Sequence, residues 1–209
     1  MKKLTLVLIF IAAVVSGCKT SKVSGSESDT KASSDPKAAV IEASRKFIAL
    51  KSLTGKIDAA AETPFKQQVE YVAPDRYHVV YSDAAGAHTE MIMAGKDAYI
   101  KSGDSWKEMP GDTNPAPTML NSFTEGALKS ISDVKLLSEE SVNGLPALVY
   151  SYKLLTVVGN FPVIQKIWVS KSSGLPMKSY VEYSHGPIKT LTTTFDTESP
   201  VTIELPSKH

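Results

Sequence analysis

Few side chains in this sequence are spaced for chemistry. Gly103-Asp104-Ser105 sets a hydroxyl beside a carboxylate. It falls between two strand-like runs, however, where glycine, aspartate and serine are favoured as turn formers. Glu139-Glu140 is a carboxylate pair, but adjacent residues of a strand point to opposite faces, and general acid–base work needs convergent groups. His78 and His88 lie on neighbouring predicted strands, and two histidines without a third ligand read as surface polar residues rather than a metal site. The sequence has no GxSxG elbow, HExxH helix, phosphate-cradling glycine loop or CxxC pair. No catalytic residue, metal or cofactor is therefore expected. The single cysteine, Cys18, excludes an intrachain disulfide and, with four scattered histidines, a Cys/His zinc cluster. A formal charge of +1, from 23 basic and 22 acidic side chains, argues against a nucleic-acid binder that works through a basic surface.

Cys18 has a context of its own. Met1-Lys2-Lys3 is a short basic start, and Leu4 to Val15 is an apolar run broken only by Thr5. That run is too short for a bilayer span of about 20 residues and suits a secretory leader. It ends in Val15-Ser16-Gly17-Cys18, which resembles the lipobox of bacterial lipoproteins: an aliphatic residue, two small residues and the cysteine. The resemblance implies that the Cys18 thiol receives a diacylglyceryl group, that residues 1–17 are removed, and that the new amino terminus is acylated. Stable anchoring takes more than one acyl chain, which a multiply acylated Cys18 supplies. Cleavage removes two of the 23 basic side chains and none of the 22 acidic ones, for a formal charge of −1. The second mature residue is Lys19 rather than the aspartate that signals inner-membrane retention in diderm lipoproteins. An outer-membrane anchor facing the periplasm is then expected in a diderm, and the cell surface otherwise.

Residues 18–35 read as a lipidated, flexible tether. Val23 is the one aliphatic residue larger than alanine between Lys19 and Asp35, too little apolar area to offset ordering entropy. Such a linker spans roughly 20–25 Å. The domain is expected over 36–209. Ser34-Asp35-Pro36 is a helix start, and Val40, Ile41, Phe47 and Ile48 recur at helical spacing over 36–51. Alternating runs then predict strands at 65–71, 77–81, 88–94, 98–101 and 106–109. A Pro-containing segment, 111–117, precedes a second helix over 118–129. Strands resume at 134–142, 148–154, 163–170, 177–184 and 188–196, with a last short one at 201–205. Asn143-Gly144 marks a hairpin. The fold class is α+β, mostly β: a curled antiparallel sheet of about ten or eleven strands, with two or three helices against its concave side.

Three stretches carry a family resemblance. They are Val69-Glu70-Tyr71-Val72-Ala73-Pro74-Asp75-Arg76-Tyr77-His78-Val79, the pair Ala98-Tyr99-Ile100-Lys101 and Trp106-Lys107-Glu108-Met109-Pro110, and the run Ile167-Trp168-Val169-Ser170 with Ser173-Gly174-Leu175-Pro176-Met177-Lys178. Together they resemble the envelope lipoprotein superfamily that includes LolA, LolB, LppX and LprG. The resemblance implies a half-barrel lidded by helices that holds acyl chains of lipoproteins or glycolipids in an apolar cavity. The inner-face candidates are Phe65, Val69, Tyr71, Tyr77, Tyr81, Met91, Met93, Trp106, Leu148, Tyr150, Tyr152, Trp168 and Tyr183. Expected partners are the membrane, through acylated Cys18, and a lipid or lipoprotein acyl chain. The alternatives are an RseB-like sensing module with an envelope protein partner, or a structural lipoprotein with a filled core.

Overall fold

The computed structural model describes residues 35–109, 118–155 and 161–206. The leader, Cys18 with the rest of the tether up to residue 34, and the 111–117 segment lie outside them. The first element is α1 (Pro36–Ile48). Its start is the one the sequence predicts: the Asp35 carboxylate accepts from the Lys37 N–H at 2.9 Å, and Pro36 opens the helix. The helix ends at Ile48 rather than Lys51, because the chain must turn at Ala49 to enter a strand.

Two antiparallel meanders follow from alternating sequence. One contains β2 (Phe65–Val72), β3 (Arg76–Asp83), β4 (His88–Ala94), β5 (Asp97–Ser102) and β6 (Ser105–Glu108). The other contains β7 (Ser132–Val142), β8 (Leu145–Leu155), β9 (Pro162–Ser170), β10 (Pro176–Glu182) and β11 (Ile188–Asp196). The β7–β8 turn is the predicted Asn143-Gly144, both residues at positive φ, as a tight hairpin requires. The strand that unites the meanders, β1 (Ser52–Ala61), pairs with β2 on one side and β11 on the other. The order is β6-β5-β4-β3-β2-β1-β11-β10-β9-β8-β7, one unclosed sheet with β6 and β7 at its edges. It curls enough for buried residues of β1–β5 and β8–β11 to share a core with the helices.

β1 is absent from the sequence-based strands, and the segment Val201–Leu205 forms no strand. The count of eleven is kept only because these two differences compensate. Ile203 is buried, and its carbonyl accepts a long 3.5 Å bond from Arg76 Nη1 in place of ladder pairing. The second predicted helix is also two pieces: a 3-10 turn (Thr118–Phe123) and α2 (Glu125–Lys129). Thr124 breaks it, with extended backbone and an Oγ1 that accepts from the Ala127 N–H at 3.4 Å as the N-cap of α2.

β1 buries Leu53, Gly55, Ile57 and Ala59 and exposes Lys56 and Asp58. Its small residues make room for the helical cover. A Cβ added to Gly55 would lie 2.5 Å from Met119 Sδ. Gly55→Ala is therefore expected to cost about 1–3 kcal/mol by overpacking. In a Met119→Ala background the same change should be near neutral. Urea denaturation of the four proteins of this double-mutant cycle checks the coupling; equal costs in both backgrounds would contradict it.

Candidate functional site: the concave face

Register decides which side chains share a face. Starting from buried Leu53, Gly55, Ile57 and Ala59, partners across β2, β3 and β4 are Tyr71, Val69, Gln67 and Phe65, then Tyr77, Val79 and Tyr81, then Met93 and Met91. In the other direction they run through Phe195, Thr193 and Leu191, through Ser179 and Val181, and through Ile167 and Gln165 to Tyr150 and Tyr152. Leu148 lies opposite Val169 on this face, and Tyr183 joins the same core. Eleven of the thirteen predicted residues thus lie on the concave side: Phe65, Val69, Tyr71, Tyr77, Tyr81, Met91, Met93, Leu148, Tyr150, Tyr152 and Tyr183.

Trp106 and Trp168 do not. Trp106 pairs with Lys101, so it falls on the convex face beside a lysine ammonium 5.7 Å from its ring. Trp168 pairs with Lys178 and Val149. It packs in a separate convex cluster with Val142, Ala147 and Val149, donates its indole N–H to Glu140 Oε2 at 2.8 Å, and lies 4.5 Å beneath the Lys178 ammonium. A one-residue shift in parity exchanges faces, and β9 is apolar enough on both sides to hide that parity. Sequence reasoning also missed Leu53, Ile57, Gln165, Ile167 and Phe195, which complete the inner face.

The helical cover lies over the β1–β11 seam and the β7–β10 wing. Among the described residues α1 packs against β7 and β10, and α2 against β8. Phe47 of α1, Phe123 and Phe195 form a triangle of rings with centroids 4.6–5.8 Å apart, a geometry favourable for aromatic pairs. On the β2–β4 wing, Phe65, Tyr81 and Met91 stay half-buried, with Phe65 and Tyr81 5.3 Å apart. The interior is uncharged: its buried polar residues in the described part are serines, a threonine and Gln165. Desolvation also pushes the phenols of Tyr71, Tyr77, Tyr150, Tyr152 and Tyr183 up from their ordinary range, so they remain neutral.

Charge gathers outside. His78 and His88 are not neighbours, since His78 pairs with Ile92 and His88 with Ser82. His78 instead sits between Glu70 and Glu90, at 2.9 and 3.0 Å, and Glu90 also accepts from Lys101 at 2.6 Å. Glu139 pairs with Lys171, whereas Glu140 meets Trp168. Gly103-Asp104 forms the β5–β6 hairpin turn, with Gly103 at φ +61°. Two grooves are also convex. One, of about 490 Å³, lies among Lys56, Asp58, Lys66, Gln68, Thr192 and Thr194; the other, of about 440 Å³, lies nearer the Ser170–Pro176 turn. No group of three metal-ligating side chains occurs among the described residues.

The arrangement defines an open half-barrel with an apolar inner face and a partial helical cover. Among solved structures, the lipoprotein LppX of Mycobacterium tuberculosis matches with a TM-score of 0.62 at 12% identity, over 81% of this chain and 98% of that one. LprF of Mycobacterium bovis matches with a TM-score of 0.62 at 12% identity, over 83% and 97%. No protein-family model matches the sequence, and no curated protein does. The half-barrel fold expected for this chain is the one found, and it is similar to that of LppX and LprF.

Two outcomes follow from the assignment of faces. Tyr150→Lys would bury an unpaired charge and should cost several kcal/mol or unfold the domain. Trp106→Lys, on the convex side, should stay within about 0.5 kcal/mol of wild type; chemical denaturation compares the two. Separately, the Glu90 carboxyl is held below its ordinary 4.5, first by the Lys101 ammonium and further by His78. The contact thus stabilises the fold above that pH and is lost as acid protonates Glu90. Wild type should exceed Glu90→Gln in stability near neutrality, and the gap should close as the pH falls below 4.5.

Proposed function

We propose that the chain is a membrane-anchored envelope lipoprotein that binds a lipid or lipoprotein acyl chain, without covalent chemistry, against the concave face of its half-barrel, as a carrier or acceptor. The observation that carries this reading is an apolar inner face that crosses the sheet, whose β2–β4 side keeps Phe65, Tyr81 and Met91 half-buried. Ligand sites of this kind are mostly apolar with a few orienting polar groups, and Met91 and Met93 supply adaptable contacts. The LppX-like fold supports the reading.

The lipobox supports the anchor. In this reading residues 1–17 are removed, Cys18 is acylated, residues 18–35 tether the domain, and 36–209 binds the cargo. The mature protein then faces the periplasm from the outer membrane of a diderm, or lies at the cell surface otherwise. Anchoring through acyl chains leaves the inner face free for cargo.

The cargo test is gentle purification of the chain from its own envelope, followed by lipid extraction. A stoichiometric amphiphile is expected. Met91→Lys should lower its recovery with little change in melting temperature, because Met91 is half-buried. Ligand-free protein that retains an envelope protein would contradict the carrier reading and favour a sensing role. For the anchor, Cys18→Ala should abolish incorporation of labelled palmitate.

A further inference from the structure

At one place on the inner face, buried polar side chains stand without partners. Gln165 of β9 and Tyr152 of β8 are each 1% exposed. They are register partners on adjacent strands, so their side chains rise from the same face side by side. Neither amide atom of Gln165 has a hydrogen-bond partner, nor does the Tyr152 hydroxyl. Buried polar side-chain atoms are nearly always paired, and each one left orphaned costs about 1–3 kcal/mol. Three orphans at one position of a sheet are therefore an expensive feature. A leucine and a phenylalanine would fill similar volumes without that cost.

The backbone opposite is irregular. On β7, Asp133 and Val134 both stand across from Tyr152, between the pairs Ser132↔Lys153 and Lys135↔Ser151. Asp133 takes φ +54° and directs its carboxylate to Lys153 at 2.8 Å, on the opposite face from Tyr152. Bulges of this kind locally re-aim side chains. The acidic group nearest in the ladder is therefore already engaged outside.

We propose that Gln165 and Tyr152 form a polar subsite within the concave face that receives a neutral carbonyl group, an ester or amide, at the head of an acyl chain. The Gln165 NH₂ and the Tyr152 hydroxyl supply donors for the carbonyl oxygen. Gln165 Oε1 supplies an acceptor for the N–H of an amide or the hydroxyl of a partial ester. The buried residues described carry no lysine, arginine or histidine, so an ionised carboxylate or phosphate would enter without a counter-charge, at high cost. The subsite thus selects acyl esters and amides over free fatty acid anions and over plain hydrocarbon. This inference rests on the acyl-binding reading above and specifies its ligand class.

The test uses the full chain, stripped of co-purified amphiphile. It is equilibrated at pH 8 with an equimolar mixture of methyl palmitate, palmitate and hexadecane, then repurified and extracted. Wild type should retain methyl palmitate over each competitor by about tenfold, the scale of one or two neutral hydrogen bonds. Gln165→Leu and Tyr152→Phe should reduce that preference several-fold. Both should keep hexadecane binding, and the unloaded variants should melt at or above the wild-type temperature, since orphan groups are removed. Equal retention of ester and hydrocarbon by wild type, or variants with unchanged preference, would overturn the subsite and leave the two residues satisfied by interior water alone. Failure to retain any of the three ligands would overturn the acyl-binding reading as well.

Discussion

The pairing of β1 with β11 is the constraint on which the molecule depends. Eight residue pairs, from Thr54↔Asp196 to Ala61↔Ile188, join the first strand of the sheet to the last. Without them the chain would hold two separate meanders, each with a bare apolar face. The pairing closes a loop of about 140 residues, whose entropic cost grows only slowly with length. Burial of Leu53, Ile57 and Phe195 beneath Phe47 and Phe123 rewards that closure; each large apolar side chain removed from water contributes about 1.5–3 kcal/mol. The 3-10 turn lies over this seam, and it leaves room for no more than a glycine at position 55 beneath Met119.

That same demand explains what the sequence concealed. Strands with bulky alternation, such as Phe65 to Tyr71 or Leu148 to Leu154, announce themselves, as does the Asn143-Gly144 turn. β1 alternates too, but two of its inward positions are glycine and alanine, and small residues weaken a hydrophobic pattern. Only tertiary packing makes them necessary. At Val201–Leu205 the opposite happened: an apolar alternation met no partner strand, and Ile203 was buried by the core instead. The tryptophans reflect a third limit. Size and aromaticity favour burial without saying on which face, and Trp168 found a convex cluster capped by Lys178 and Glu140. Gln165 was hidden for a related reason, since a lone amide in an apolar strand looks like an outward residue until the register is known.

Charge and polarity are sorted by the sheet itself. Ion pairs such as Lys101–Glu90, Lys171–Glu139 and Lys153–Asp133 hold the outer surface or its edges. The concave side holds neutral phenols, methionines and a few uncharged polar residues, Gln165 the most deeply buried glutamine among those described. A surface of this kind offers nothing to an anion and much to a chain of methylenes. If acyl groups on Cys18 fix the protein to the membrane, the inner face has no need to serve as the anchor.

The central claim is that this face, rather than the grooves behind it, receives an acyl chain. A crystal structure of the chain with a terminally brominated acyl ester tests it most directly, through the anomalous signal of bromine. The account predicts bromine density against the concave face of the sheet, on the side of Phe65, Tyr81 and Met91. Density confined to the convex groove at Lys56 and Thr194, or a concave face closed with no ester bound, would contradict it.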